Sequence, residues 1–240
     1  MKNILIDIGN SSFCKVACAD EFSIERVVRV PRKDLLLFLS GLVSDGPADT
    51  VCVSSVAGDS GEITDWLGKN SRRVVEVGAS TRMNISVDYD TPETLGADRI
   101  AAAVGVSALF PGEDSVIFDF GTAITVDFLS SGGVFKGGNI SPGLGMRFNA
   151  LHHYTGRLPL VEPSMPVCQT GRSTSEAISN GVVLGIMFEV EKYIENNPGA
   201  RIVFTGGDAL FFAKKLNYPI FVVCNLVVKG LFKIAQENNV

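Results

Sequence analysis

Runs of hydrophobic residues bounded by turn residues divide the first half of the chain into strands and helices. Five apolar or alternating runs predict β-strands: "NILIDI", "FCKVACA", "IERVVRV", "TVCVSSV" and "RRVVEV". Three further segments predict helices: "PRKDLLLFLSGLVSDG", "GEITDWLGKN" and "LGADRIAAAVGVSALF". Pro111 and Gly112 end the third helix, because proline cannot continue a helix and glycine favours its end.

The pattern restarts after "PGED" at residues 111–114. A strand leads into a hairpin, "TAITVDFLS" and "VFKGGNI", with a Ser-Gly-Gly turn at 131–133. Helices, strands and helices then follow: "GLGMRFNALHHY", "STSEAISNGVVLGIMFEVEKYIEN", "RIVFTGG", 208–216, "YPIFVV" and 225–236. Each half opens with a hairpin and continues with alternating strands and helices. The 240 residues are therefore predicted to form an α/β protein of two domains, 1–113 and 114–240.

A short motif occurs at the end of the first strand of each half. "ILIDIGN" and "VIFDFGT" pair Asp7 with Asp119 and Gly9 with Gly121. A strand that ends in a glycine-containing turn presents backbone N–H groups to phosphate oxygens, and glycine lets that backbone approach closely. An aspartate in the same turn would repel the phosphates unless a cation lies between them. Two such hairpins facing each other would hold a nucleotide and its Mg²⁺.

Two later glycine-rich segments fit the same interpretation. "KGGNISPGLG" leads into a helix, whose N-terminus favours anions, and "FTGGDA" lies between a strand and a helix, where it could contact adenosine. The chain has neither a P-loop motif nor a G-x-G-x-x-G motif between a strand and a helix. Any single glycine cluster is best explained as a tight turn, but four clusters at strand ends favour a nucleotide site.

Composition excludes several classes of partner. The net charge is −5 and no basic run exceeds two residues, which argues against binding to nucleic acid or an acidic membrane. The longest apolar run, "LLLFLSGLV", is about half of a membrane span, and Asp7 interrupts the first apolar run, so neither anchoring nor export is expected. Five scattered cysteines predict reduced thiols in the cytoplasm, and the adjacent His152 and His153 receive no role.

Three carboxylates stand out in the sequence. Asp119 and Asp127 lie on an otherwise apolar hairpin, where burial is costly unless cations or hydrogen-bond donors are near, and the partner of Asp127 is left open. Asp98 begins a helix, where an aspartate commonly stabilises the positive end of the helix dipole. The neighbouring Gly96 and Arg99 add space and an anion-binding group, so Asp98 is also a candidate general base.

Five segments together resemble the type III pantothenate kinases of the acetate kinase and actin superfamily: "DIGNS", "DYDTPETLGADRIA", "DFGTAITVD", "GGNISPGLGMR" and "STSEAISNG". "GADR" is the most specific of them. The resemblance implies two similar actin-like (ribonuclease H-like) domains, each a mixed β-sheet with flanking helices, facing across a nucleotide cleft. It also implies ATP-dependent phosphorylation of pantothenate, the first step of coenzyme A biosynthesis, by a homodimer that uses Mg²⁺ and a monovalent cation, K⁺ or NH₄⁺.

The same resemblance assigns roles to individual residues. Asp98 is implied to be the general base. The pantothenate contacts are Tyr89, Gly96, Ala97, Asp98, Arg99 and Thr174. The ATP contacts are Asp7, Gly9, Asn10, Ser11, Gly121 and Thr122, with Asp7 reaching Mg²⁺ through ATP and Asp119 holding the monovalent cation.

Three residues have alternative interpretations. From the residues alone, Thr174 is better explained as the N-cap of a long helix, and Tyr89 as a half-buried loop aromatic. Lys15 is displaced by one position relative to lysines of related proteins. Because side chains alternate along a strand, this shift could turn it away from the phosphates, and it is left out of the predicted site.

Two other functions compete with the pantothenate kinase. The first is another enzyme of the superfamily, such as a sugar kinase or a polyphosphate-type phosphatase, but the chain is too short for the large inserted subdomains that build those pockets. The second is a non-catalytic regulatory protein on the same scaffold. The intact "GADR" and both Asp-x-Gly motifs argue against it, because a scaffold alone has no use for them.

Overall fold

The computed structural model describes residues 2–56, 61–163 and 168–238. These residues belong to two compact units. The first comprises Met1–Glu113, Asp127–Gly137 and Asn225–Val240, and the second comprises Asp114–Val126 and Gly138–Cys224. The division of the chain into domains at residues 113 and 114 stays a prediction.

The described strands are β1 (Asn3–Ile8), β2 (Phe13–Ala19), β3 (Ile24–Pro31), β4 (Thr50–Ser55), β5 (Val74–Glu76), β6 (Ser86–Val87), β7 (Ser115–Phe120), β8 (Ala123–Leu129), β9 (Val134–Pro142), β10 (Arg201–Gly206) and β11 (Ile220–Val222). The described helices are α1 (Leu35–Leu42), α2 (Gly61–Asn70), α3 (Ala97–Leu109), α4 (Leu144–Tyr154), α5 (Thr174–Asn196), α6 (Ala209–Ala213) and α7 (Leu226–Asn238). Short 3₁₀ turns lie at Arg32–Asp34 and Pro92–Thr94.

The strands and helices predicted from the hydrophobic pattern are confirmed, with three differences. The predicted helix that starts at Pro31 begins as a 3₁₀ turn before α1, and α6 is shorter than predicted. β6 was not predicted, because two residues carry no hydrophobic period. None of the helices described is both long enough and apolar enough to cross a membrane.

The first unit is built on a mixed sheet with the strand order β3-β2-β1-β4-β5. β1 pairs antiparallel with β2 and parallel with β4. All six residues of β1 are buried, as expected for a central strand covered on both faces. The site-bearing end of β1 is therefore fixed by neighbours on both sides. In the same unit, β6 pairs parallel with the first residues of β9.

The second unit contains the strand order β11-β10-β7-β8-β9, of which β8 and β9 each continue into the first unit. β7, β10 and β11 are parallel. Phenylalanine rings pack over these strands: the ring centroids of Phe204 lie 5.1 Å from Phe118 and 4.8 Å from Phe120, and Phe120 stacks on Phe212 at 5.0 Å. Such offset and tilted contacts are favoured between aromatic rings, and they hold β7 rigidly below its terminal turn.

α3 and α7 pack against each other with almost no space between their backbones. A Cβ added to Gly230 would lie 1.7 Å from the carbonyl oxygen of Ala101, and one added to Gly105 would lie 2.9 Å from the carbonyl oxygen of Leu226. Real Cβ atoms essentially never come within 3.0 Å of such an atom, and the contact at Gly230 is far shorter than that. Only glycine lets α7 approach α3, the helix that carries the "GADR" segment.

We expect Gly230→Ala to destabilise the protein by more than about 3 kcal/mol, because overpacking against backbone cannot be relieved by a side-chain rotation. Chemical denaturation monitored by circular dichroism measures the effect. The matched control is Gly68→Ala in α2, where a Cβ meets nothing within 4 Å. It should gain up to about 1 kcal/mol from the better helix propensity of alanine. Equal stability of the two variants would contradict the close-packing interpretation.

Candidate active site

The first Asp-x-Gly motif places a lysine beside its aspartate. Asp7 and Lys15 are directly opposite in the antiparallel pair β1–β2, so their side chains lie on the same face of the sheet. The Nζ of Lys15 lies 3.7 Å from Oδ2 of Asp7. The Asp7 side chain is 11% exposed and that of Lys15 is 34% exposed. Lys15, which was left out of the predicted site, therefore lies beside the aspartate of the first motif.

The turn after β1 is closed by its own polar groups. The hydroxyl of Ser11 donates to the carbonyl oxygen of Phe13 at 2.7 Å and accepts from its N–H at 3.3 Å. Nη2 of Arg32 donates to the carbonyl oxygen of Gly9 at 3.3 Å. A Cβ on Gly9 would meet nothing within 4 Å, and Asn10 is exposed. The turn is thus held in shape while its outer side stays open to a ligand.

The "GADR" segment holds a carboxylate against its own backbone. Gly96 is the N-cap of α3, and the N–H of Arg99 donates to Oδ1 of Asp98 at 2.8 Å. A Cβ on Gly96 would lie 2.6 Å from that same oxygen. Glycine at 96 therefore leaves the space that the Asp98 carboxylate occupies. Ala97 is buried at the start of the helix.

The carboxylates of Asp7 and Asp98 influence each other within the first unit. Burial, opposed by the charge of Lys15 and assisted by the charge of Asp98, raises the pKa of Asp7 to about 6. Burial also raises the pKa of Asp98 above its ordinary value, opposed by the backbone N–H and the charge of Arg99. Two carboxylates that are far apart in sequence therefore share one electrostatic environment with raised pKa values, as expected of a functional site.

Arg99 is the partner of Asp127 that the sequence left open. Nε and Nη2 of Arg99 lie 2.8 Å and 2.5 Å from Oδ1 of Asp127. The side chains are only 6% and 1% exposed. The guanidinium also lies 5.9 Å from the ring centroid of Tyr89 and 5.6 Å from that of Phe135. No local signal links residues 28 positions apart, although two opposite charges in apolar segments were a hint that each needs a partner.

Tyr89 is half-buried, as predicted, and its ring rests on a glycine. Gly137 has a φ of +92°, and a Cβ there would lie 3.3 Å from two ring carbons of Tyr89. The ring centroid lies 6.3 Å from that of Phe135. Gly137 was predicted to lie with Gly143 around a turn of the phosphate site, but the structure places it under Tyr89.

Gly121, Gly143 and Gly206 lie at the second Asp-x-Gly motif, in the second unit. A Cβ on Gly206 would lie 2.5 Å from Oδ1 of Asp119, and one on Gly121 would lie 3.6 Å from it. A Cβ on Gly143 would lie 2.3 Å from the carbonyl oxygen of Thr122, to which the N–H of Gly143 also donates at 3.0 Å. Gly206 and Gly143 therefore pack closely against the turn after β7, whereas Gly121 and Thr122 of that turn are exposed.

The start of α5 differs from the prediction. The N-cap is Ser173, whose hydroxyl accepts from the N–H of Glu176 at 3.2 Å. Oε2 of Glu176 accepts from the N–H of Arg172 at 2.7 Å. Thr174 is the exposed first residue of the helix, so the interpretation of Thr174 as the N-cap is wrong.

The two mixed sheets, each with an Asp-x-Gly turn at a strand end, define an α/β protein of the actin-like fold class. A family model described as type III pantothenate kinase matches residues 3–196. A type III pantothenate kinase of Cytophaga hutchinsonii is 40% identical over 241 residues, which cover 98% of this chain and 99% of the relative. The chain belongs to the type III pantothenate kinase family. It is a transferase that phosphorylates pantothenate with ATP and a divalent metal, in the first step of coenzyme A biosynthesis.

Two solved structures confirm the fold class. A conserved Campylobacter jejuni protein assigned to a Baf family of transcriptional activators has a TM-score of 0.70 at 24% identity, with 98% of each chain covered. The activator of 2-hydroxyisocaproyl-CoA dehydratase from Clostridium difficile, with bound ADPNP, has a TM-score of 0.59 at 14% identity, covering 99% of this chain and 95% of that one. At these identities the likeness concerns the fold alone.

We expect the stability of the protein to fall as the pH rises from about 4 to about 6. The raised pKa of Asp7 means that the folded chain binds its proton more tightly than the unfolded chain, so this stabilisation is present below pH 4 and lost above pH 6. Asp7→Asn should flatten the slope and add up to about 3 kcal/mol at pH 7, since one pKa unit corresponds to about 1.4 kcal/mol.

Denaturant unfolding at a series of pH values measures this effect. Lys15→Met is the matched variant, because removing the cation that lowers the pKa of Asp7 should steepen the same slope. A pH dependence that is identical in wild type, Asp7→Asn and Lys15→Met would contradict the assignment.

Proposed function

We propose that Asp98 is the general base of pantothenate phosphorylation. The observation that carries this proposal is the carboxylate itself, held by the N–H of Arg99, seated over Gly96 and with its pKa raised by burial. A base works best when its pKa approaches the working pH, and burial moves an aspartate in that direction. An aspartate that only capped a helix would not need the space that Gly96 leaves.

The proposed reaction uses few groups of the protein. Asp98 accepts the proton of the primary hydroxyl of pantothenate as that oxygen forms a bond to the γ-phosphorus of ATP. The bond between this phosphorus and the β–γ bridging oxygen breaks, so 4′-phosphopantothenate and ADP are formed. Phosphoryl transfer depends mostly on positioning and on charge stabilisation, which fits a site built from backbone turns and a few carboxylates.

Asp7 fits the role of a Mg²⁺ ligand reached through ATP. Among the described residues no group of three or more His, Cys, Asp or Glu side chains could enclose a metal. Magnesium is usually held by one or two carboxylates together with substrate phosphates, and Asp7 is a buried carboxylate beside an open turn. Bound there with ATP, Mg²⁺ would neutralise charge on the phosphates.

The remaining contacts follow from the openness of the turns. We assign Gly9, Asn10, Ser11, Gly121 and Thr122 to ATP. Their support is a backbone held in place with its outer side exposed. We assign Tyr89, Gly96, Ala97, Arg99 and Thr174 to pantothenate. Gly96 and the N–H of Arg99 contact the Asp98 carboxylate, and the guanidinium of Arg99 lies 5.9 Å from the ring centroid of Tyr89, which supports the assignment of these residues.

We place a monovalent cation, K⁺ or NH₄⁺, at Asp119. Its carboxylate is partly buried over Gly206 and close to Gly121, at the turn where the carbonyl oxygens of Gly121 and Thr122 lie. Carbonyl oxygens are the ligands that replace the hydration shell of K⁺ in other proteins. An anionic group among such oxygens favours a small cation.

We further propose a cytoplasmic homodimer. Large apolar side chains are exposed in the second unit: Ile140, Met146 and Phe188 are 64%, 44% and 59% exposed. Exposed apolar side chains of this size often mark contacts between proteins, and sedimentation of the purified protein tests this. All five cysteines are free thiols, which is typical of a reducing compartment.

Asp98→Asn is expected to lower kcat by a factor of about 10² to 10⁴, the usual contribution of general-base catalysis, while leaving the affinity for ATP unchanged. A coupled assay of ADP formation with pantothenate measures kcat, and nucleotide titration measures affinity. The matched control is Asp90→Asn, an exposed carboxylate in the preceding loop that should retain full turnover. Turnover of Asp98→Asn near that of wild type would sink the assignment.

Asp119→Asn is expected to raise the K⁺ concentration for half-maximal turnover by at least about tenfold, because the site loses its charge and one tenfold change needs only about 1.4 kcal/mol. Turnover is measured at a series of K⁺ and NH₄⁺ concentrations at constant ionic strength. Asp114→Asn, an exposed carboxylate before β7, serves as the control. If wild-type turnover is the same with and without monovalent cations, the proposed cation site is wrong.

A further inference from the structure

One member of a buried ion pair in the first unit, Asp127, has no part in the reaction proposed above. Asp127 lies in β8 among apolar residues and its side chain is only 1% exposed. A buried charge is costly, and an ion pair in an apolar interior is often no more stabilising than apolar side chains of the same volume. Stability alone therefore gives little reason for a charged pair here.

The ion pair holds Arg99, whose backbone N–H binds the proposed base, Asp98. Nε and Nη2 of Arg99 both bind Oδ1 of Asp127, so one edge of the guanidinium is held by two hydrogen bonds. The backbone N–H of Arg99 binds Oδ1 of Asp98. Arg99 thus joins Asp127, at one end of its side chain, to Asp98, at its backbone.

The same guanidinium also contacts the proposed pantothenate tyrosine. It lies 5.9 Å from the ring centroid of Tyr89 and 5.6 Å from that of Phe135, within the range of cation–π attraction. Tyr89 is further located by Gly137 below its ring and by the N–H of Asp88, which donates to the carbonyl oxygen of Phe135 at 2.9 Å. The position of the ring therefore depends on where Asp127 holds Arg99.

We propose that Asp127 is a positioning residue for pantothenate: it holds Arg99, and through Arg99 it sets the places of Tyr89 and Asp98. This inference rests on the proposed roles of Tyr89 and Asp98 in binding and catalysis. It assigns to the chain a group that touches neither ATP nor the reacting atoms. Its removal should therefore affect pantothenate and leave ATP unaffected.

The test uses Asp127→Asn, which keeps the shape but removes the charge that holds the guanidinium. We expect kcat/KM for pantothenate to fall by about 10- to 100-fold, the usual effect of losing a residue that orients a functional group, with KM for ATP within twofold of wild type. Arg99→Lys should give a similar loss, since lysine lacks the planar fork. The double variant Arg99→Lys/Asp127→Asn should lose no more kcat/KM for pantothenate than either single variant, because both substitutions break the same contact between Arg99 and Asp127.

The surface pair Lys192–Glu195 in α5 is the control, since its side chains are 69% and 52% exposed and it has no part in the proposed site. Glu195→Gln should leave the kinetics of both substrates unchanged. If Asp127→Asn does not fold, Arg99→Met/Asp127→Leu replaces it, because removing both charges avoids an isolated buried one. That variant should fold, bind ATP normally and show the reduced kcat/KM for pantothenate.

Each result decides one proposal. Wild-type pantothenate kinetics in the variants at Asp127, a parallel loss for ATP and pantothenate, or additive losses in the double variant would overturn the positioning role. Retained turnover in Asp98→Asn would overturn the general base alone, because the pantothenate kinetics of Asp127→Asn are measured independently of it.

Discussion

The burial of carboxylates in apolar surroundings is the constraint around which the first unit is arranged. Asp7 and Asp127 are buried and burial raises the pKa of Asp98, so each carboxylate carries a desolvation cost, and each is accommodated differently. Asp127 pairs with a buried arginine, Asp98 accepts a hydrogen bond from a backbone N–H, and Asp7 has a lysine at 3.7 Å that is one-third exposed. Asp127 is therefore held in an ion pair, while Asp7 and Asp98 keep raised pKa values. The two groups with incomplete compensation are those proposed to act on substrate.

Glycines provide the space that this arrangement needs. At Gly96 and Gly206 the atom that a Cβ would meet is a carboxylate oxygen, and at Gly143 it is a backbone carbonyl oxygen. The glycines of the site therefore do more than permit turns, since they bring charge and backbone within contact distance. At Gly230 the same lack of a side chain brings α7 against α3 and so supports the helix that carries Asp98. Both the helix packing and the arrangement of the site therefore depend on glycine having no side chain.

The fold was predictable because its elements are long and periodic, and the motifs that carry the chemistry lie at their ends. The two Asp-x-Gly turns and the start of α3 were located from the sequence for that reason. The contact between Arg99 and Asp127 could not be predicted, because it depends on how β8 and α3 pack, and no local pattern encodes it. The contact of Lys15 with Asp7 was not predicted, because it depends on strand register: the pairing that puts Lys15 opposite Asp7 is fixed by the whole β1–β2 hairpin. Ser173 rather than Thr174 caps α5, a shift of one residue that sequence signals at helix ends do not resolve.

The state of Asp7 connects the stability of the free protein to its proposed ligand. A carboxylate whose pKa is about 6 costs folding free energy when it is ionised at neutral pH, and evolution tolerates such a cost where a function depends on it. A cation brought by ATP, as proposed, would bind the ionised form, so cation and proton would compete for the same oxygen atoms. Such binding would supply the charge compensation that Lys15 gives only in part, and the folded protein would gain stability from its substrate by mass action. In this view the incomplete pairing of Asp7 is the feature that makes the first motif a binding site, since a fully compensated carboxylate like Asp127 would have little to gain from a metal ion.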